Sequence, residues 1–145
     1  MKKNKQGFTL IELLVVIAII GLLSTLSVLA LNTARARSRD AKRVADIKQI
    51  QTALELYYND VGLYPPTVSS GSAIATGSSV YMQIVPAAPT PADGTNCSGT
   101  NAYAYTSDVM NGVTNGSYHI TYCLGVAIGN IPGNTTETAT PAGIR

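Results

Sequence analysis

From Phe8 to Leu31 the chain runs for 24 residues with a single charge, Glu12. At about 1.5 Å per residue such a helix rises roughly 36 Å, enough to cross a hydrocarbon core of about 30 Å. The pattern then changes. Val44, Ile47, Ile50, Leu54, Tyr57 or Tyr58, and Val61 recur every three or four positions, while Arg43, Asp46, Lys48, Gln49 and Glu55 lie elsewhere around the wheel. This spacing predicts an amphipathic helix with one buried face. No proline interrupts residues 1–64, and Asn59-Asp-Val-Gly62 followed by Tyr64-Pro65-Pro66 is a strong stop. One helix from about Phe8 to about Asp60 is therefore predicted, with residues 8–31 in lipid and residues 32–60 continuing beyond it.

The remaining residues, 61–145, read as a small head with loops and antiparallel strands. Thr67 to Asp93 is rich in Ser, Gly, Pro and Ala, with Val80 to Val85 as a short helical turn or strand. Ala102-Tyr-Ala-Tyr-Thr106 and Tyr118-His-Ile-Thr-Tyr-Cys-Leu124 alternate in the manner of strands, separated by Asn111-Gly112 and Asn115-Gly116, and are expected to pair antiparallel. An edge strand is expected around Val126 to Ile131, followed by a flexible tail. The fold class is α+β: a long amino-terminal helix whose outer half packs under a small antiparallel sheet.

Glu12 is the costly residue in this layout, because a carboxylate at membrane depth costs about 2.5–3.5 kcal/mol on insertion scales and normally has a partner and a function. The apolar segment supplies no cation. Lys2, Lys3 and Lys5 precede it, and Arg35, Arg37, Arg39, Lys42 and Arg43 follow it. Basic flanks on both sides leave the orientation of an ordinary single span undefined. Removal of residues 1–7 resolves the ambiguity.

Lys5-Gln-Gly7-Phe8-Thr-Leu-Ile-Glu12 resembles the type III signal of the type IV pilin and pseudopilin superfamily. The resemblance implies processing at Gly7 and Phe8: a prepilin peptidase/methyltransferase cuts after Gly7 on the cytoplasmic side and methylates the new terminus at Phe8. It also implies assembly through Glu12, paired with the terminal amine of a neighbouring subunit. That amine has a reference pKa of about 7.7–8.0 and is largely cationic near neutral pH, so each buried charge compensates the other and fixes the register of otherwise slippery helices. A conventional secretory signal, cut after Val28-Leu-Ala30 or Ala34-Arg-Ala36, competes with this reading, but the apolar run is longer than a usual signal core and has an acid near its start. A plain anchor helix leaves Glu12 unexplained.

The pilin-like layout extends through Leu54-Glu-Leu-Tyr-Tyr-Asn-Asp-Val-Gly-Leu-Tyr-Pro-Pro66, which is similar to the tyrosine-rich helix end of major pseudopilins. Leu29 stands where many members have a proline, so a continuous helix is expected there. The implied partners are identical or related pilin subunits, the peptidase, an inner-membrane assembly platform and, before assembly, the lipid bilayer. The implied location is the cytoplasmic membrane, single-pass with the head outside, and then an extracytoplasmic filament. Both a type IV pilus and a type II secretion pseudopilus fit. The alternative is a minor tip subunit or a membrane-anchored binding module for DNA or a surface.

Charge argues against nucleic acid. Without the leader, the side chains number seven basic and eight acidic. Six basic residues fall between Arg35 and Lys48, whereas Glu55, Asp60, Asp93, Asp108 and Glu137 stand almost unopposed beyond them. The basic stretch is expected to be a solvated helix face, or one that meets anionic headgroups or acidic neighbours.

Cys97 and Cys123 are the only cysteines. In a head outside the membrane they are expected to form one disulfide, tying the start of the first strand to the end of the second; two reduced, buried thiols are the alternative. No catalytic motif is present, and His119, the sole histidine, reads as structural or exposed. No cofactor is expected. Asp93 and Asp108 are the candidates for a calcium site, but they are isolated in sequence and calcium takes six to eight oxygens. Asn96-Cys-Ser, Asn115-Gly-Ser and Asn134-Thr-Thr match the glycosylation sequon, a pattern common by chance.

Overall fold

A computed structural model describes residues 7–94 and 101–144. The chain forms one helix, α1 (Leu10–Val61), and six strands: β1 (Ile74–Thr76), β2 (Ser79–Met82), β3 (Ala104–Met110), β4 (Val113–Leu124), β5 (Thr135–Thr140) and β6 (Gly143–Ile144). Two compact units divide the chain after Arg35, within α1. Residues 36–145 form the head.

α1 passes through Leu29 without interruption. It stops at Gly62, whose φ of 78° reverses the chain while its N–H donates to the Tyr58 carbonyl at 2.7 Å. A left-handed residue just past a helix end is the role glycine fills without a Cβ clash. Tyr64 then turns back under the helix end, buried, with its hydroxyl donating to both Glu55 oxygens at 3.1 and 3.2 Å. Its ring stacks on Tyr58 at 4.6 Å and meets Tyr118 edge-on at 4.7 Å. The tyrosine-rich helix end is thus a packing device.

β3 to β6 form one antiparallel meander in sequence order, and β1 with β2 a separate hairpin. Asn111 (φ 52°) and Gly112 (φ 80°) make the β3–β4 turn, the two left-handed positions that an Asn-Gly hairpin turn requires. Along β4, Tyr118, Ile120, Tyr122 and Leu124 alternate inward. They meet Val44, Ile47, Ile50, Ala53 and Leu54 of α1, and this helix-on-sheet layer is the core.

Three expectations are corrected, and one that left two forms open is decided. The edge strand lies at Thr135–Thr140; the segment around Val126 to Ile131 holds only an isolated bridge between Ile128 and Ile131. The tail continues into β6, paired with β5, and is ordered through Ile144. Of the two forms expected for Val80 to Val85, the strand is the one found, as β2, paired with β1 in a hairpin that the turn at Gly77 closes. Arg43 and Asp46 are on the buried face of α1, together with Asp40.

That last correction exposes an ionic node. The Arg43 guanidinium donates to Asp40 Oδ1 (2.6 Å), Asp93 Oδ2 (3.0 Å), the carbonyls of Pro89 (2.8 Å) and Pro91 (3.0 Å), and Asn101 Oδ1 (3.0 Å). Arg39 holds Asp93 with a two-pronged contact. The other Asp40 oxygen accepts the backbone N–H groups of Gly125 (3.1 Å) and Val126 (2.8 Å). Asp46 accepts the Tyr103 hydroxyl at 2.9 Å. One end of the head is therefore closed by charge: a single helix turn gathers the β2–β3 and β4–β5 connections. Hydrogen bonds from Arg39, aided by Arg43, hold the Asp93 carboxyl below the usual carboxylate range. Its contribution to stability is present above the unfolded pKa and is lost as pH falls through the lowered one.

Glu137 has the opposite sign. It lies buried on β5 opposite Tyr122, whose hydroxyl has no hydrogen-bond partner among the described residues. Burial raises the Glu137 pKa and pushes Tyr122 up to about 12. The folded state thus favours the protonated acid, and stability falls as pH rises through the raised pKa. Glu137→Gln is expected to raise the thermal midpoint at pH 7 by about 2–5 °C, a gain that shrinks in acid, as thermal melts at two pH values would read.

Candidate processing and assembly site

The amino-terminal unit holds the candidate site. Phe8 is 85% exposed, and nothing lies within 4 Å of where a Cβ on Gly7 would sit. The packing of the chain itself does not demand glycine at position 7. The lysines of the leader, Lys2, Lys3 and Lys5, lie outside the described residues.

Thr9 and Glu12 form a reciprocal cap at the start of α1. The Glu12 N–H donates to Thr9 Oγ1 at 3.3 Å, while Glu12 Oε2 accepts the Thr9 N–H at 2.8 Å and its hydroxyl at 2.7 Å. This is a capping box, which satisfies donors that a helix start leaves orphaned. Glu12 therefore has a local hydrogen-bonding role besides its charge, and Thr9 is a site residue that its spacing from Glu12 makes legible. Both groups are neutral donors. The negative charge of Glu12 is oriented but has no cation beside it among the described residues.

Beyond the cap, α1 is long and apolar enough to cross a membrane, and that window is wholly exposed in the isolated chain. Its few polar side chains are satisfied locally: Ser24, Thr25, Ser27 and Thr33 donate to the carbonyls of Ile20, Leu22, Leu23 and Leu29. Such back-bonding lets hydroxyls sit in hydrocarbon without exposing an unpaired donor.

In the head, the two acids considered for calcium are otherwise engaged. Asp93 belongs to the arginine node, and Asp108 contacts His119 Nδ1 at 2.7 Å. Among the described residues no group of three His, Cys, Asp or Glu side chains is placed to hold a metal ion. Cys123 lies on β4; Cys97 and the sequon asparagine Asn96 are outside the described residues.

Comparison with known proteins bears on the amino-terminal site directly. Residues 2–28 match the family model described as the prokaryotic N-terminal methylation motif, a stretch that includes Gly7, Phe8, Thr9 and Glu12. Through this motif and the relatives that share it, the chain is similar to the type IV pilin and pseudopilin superfamily. It is 37% identical over 79 residues to type II secretion system core protein G of Klebsiella michiganensis, covering 54% of this chain and 56% of that one. With the protein of the same name from Escherichia coli it shares 41% over 64 residues, 44% of each chain. With the fimbrial protein EcpC of Eikenella corrodens it shares 34% over 85 residues, 59% of this chain and 56% of the relative. The chain thus spans about half the length of the curated superfamily members it matches. No solved structure matches.

Proposed function

We propose that this chain is a structural subunit of a helical extracytoplasmic filament, and specifically of a type II secretion pseudopilus. The observation that carries the reading is the methylation motif over residues 2–28, set at the start of a continuous helix with an acid at its cap. The choice of a pseudopilus over a pilus rests on the similarity to core protein G from several bacteria, against the fimbrial relative. In this account the precursor is anchored by residues 8–31, cut after Gly7 by a prepilin peptidase and methylated at Phe8. An inner-membrane platform then passes it into the filament with its head outside the membrane. Its work is structural rather than catalytic, with no cofactor, and its partners are copies of itself or related pilins.

Assembly follows from the charge at Glu12. Extraction from lipid brings α1 helices together, and a neighbour's Phe8 amine gives the carboxylate the cation that its own segment lacks. A large side chain in place of Gly7 blocks the peptidase: Gly7→Trp is expected to leave uncut precursor in the membrane and no sheared filament, read by immunoblot of both fractions.

For the head, the reading includes a Cys97–Cys123 bridge, which suits a compartment where disulfides persist. Closing a loop of about 27 residues is worth roughly 3–4 kcal/mol in the chain-entropy model. Non-reducing peptide mapping of the extracytoplasmic form is expected to yield one linked pair; labelling of both thiols under native oxidising conditions would contradict it.

A further inference from the structure

The end of the head opposite the arginine node carries a cluster of exposed apolar side chains. Val109, Met110 and Val113 stand at the β3–β4 turn with exposures of 67, 53 and 48%, and Leu63, just past the end of α1, lies against the same depression. Tyr58, Leu63, Met110 and Val113 line a depression of about 290 Å³. Tyr58 and Met110 also line a second one, of about 270 Å³, that reaches Thr140 and Pro141. The two make one furrow with Met110 between them.

This end is also short of cations. Asp60 is exposed, and the Tyr81 hydroxyl donates to it at 2.7 Å without neutralising it. Glu55 and Asp108 lie on the same two elements, α1 and β3, that border the furrow. The last turn of α1 has no basic residue, so the negative end of the helix dipole adds to the acids. After Lys48 the only Lys or Arg in the sequence is Arg145.

The spare cations are at the other end of the same unit. Arg37 and Lys48 are exposed, and neither has an ion-pair partner among the described residues, whereas Arg39 and Arg43 are consumed by the node. At about 100° per residue, Arg37, Ala41, Ala45 and Lys48 fall within an arc of about 80°. All four are exposed, which makes a face of two alanines bracketed by two cations. Arg37 and Val61 are 24 positions apart on one helix, about 36 Å, so a copy cannot bring this face to its own furrow.

Resting on the filament reading, we propose that the acidic, apolar furrow around Met110 docks the Arg37–Ala41–Ala45–Lys48 face of a second copy of this chain. The contact joins two different surfaces, so its repetition does not close on itself and propagates as an open helical array. The alanines cover the apolar furrow, and the cations meet the acids and the helix terminus around its rim.

Two substitutions at Met110, an exposed turn position, separate charge from shape. In the full chain, expressed with a complete assembly machinery, Met110→Lys is expected to cut sheared filament about tenfold or more through like-charge repulsion, whereas Met110→Glu stays within about threefold of the parent. Arg37→Glu combined with Lys48→Glu on the native furrow is likewise expected to cut sheared filament about tenfold or more, because it sets two acids against the acidic rim. Protease resistance of the head confirms that each variant is folded. Equal effects of Lys and Glu at position 110, or normal assembly of the Arg37→Glu, Lys48→Glu variant, would overturn the docking contact. If Met110→Lys assembles normally while the parent makes filaments, this contact alone is wrong. If the parent makes no filament with the machinery complete, the filament reading fails first and takes the contact with it.

Discussion

Glu12→Gln is expected to reduce filament yield about tenfold or more while the subunit is still made, cut after Gly7 and held in the membrane. Gln is an accepted partner in a capping box, so the local hydrogen bonds around Thr9 are largely retained and only the charge is lost. Insertion becomes easier, because an acid that costs about 2.5–3.5 kcal/mol at membrane depth is gone. Glu12→Ala and Glu12→Leu remove the cap as well as the charge. If charge is what matters for assembly, all three variants fail to a similar degree, although Ala and Leu also fray the first turn. Filament counts from sheared cells, with membrane fractions as the control, make the comparison. A Gln variant that assembles at the normal rate and with normal helical order would contradict the pairing of Glu12 with a neighbour's amine.

The second large effect is expected at the arginine node. Arg43 and Asp40 have side chains 1% and 0% exposed, and removing one partner of such a buried pair leaves the other charge uncompensated. Arg43→Ala is expected to cost the head about 3–5 kcal/mol, against a total of about 5–15 kcal/mol for a typical domain. Asp40→Ala carries a similar cost, because it orphans the Gly125 and Val126 N–H groups as well as Arg43. Arg43→Lys keeps the charge but cannot reproduce the planar fork that reaches Asp40, Asp93 and two proline carbonyls. Its loss should be smaller than that of Ala and still clear. Urea titration of the detergent-solubilised full chain, followed by protease resistance of the head, reads the order Ala, Lys, parent. A parent-like midpoint for Arg43→Ala would show that the node does not hold the loops.

The long helix and its ends are legible in the sequence because each signal is local. The charge-poor run fixes the span, Asn59-Asp-Val-Gly62 fixes the stop, and Asn111-Gly112 fixes the hairpin turn. The Thr9-x-x-Glu12 spacing is equally local and announces the cap. The arginine node is not legible in this way. Arg43 and Asp40 sit three apart among solvent-exposed cations, and their other partners, Pro89, Pro91 and Asp93, come from a loop some 50 positions away. Charged residues are rarely fully buried without such partners, so a helix wheel alone assigns them to solvent. The acids of the head consequently read as unopposed, although Asp93 is matched by Arg39 and Arg43. β5 escapes for a different reason: Thr135-Thr-Glu-Thr-Ala-Thr140 has few apolar residues, and its strand identity comes from pairing with β4.

The central claim is that this chain is processed and assembled as a pilin-type subunit. The most direct measurement is mass spectrometry of the amino-terminal peptide from sheared filaments of a host with its own peptidase and assembly machinery. The account predicts a peptide that begins at Phe8 and carries one added methyl group. A peptide that begins at Met1, or near Leu31 as after a conventional signal cut, would contradict it.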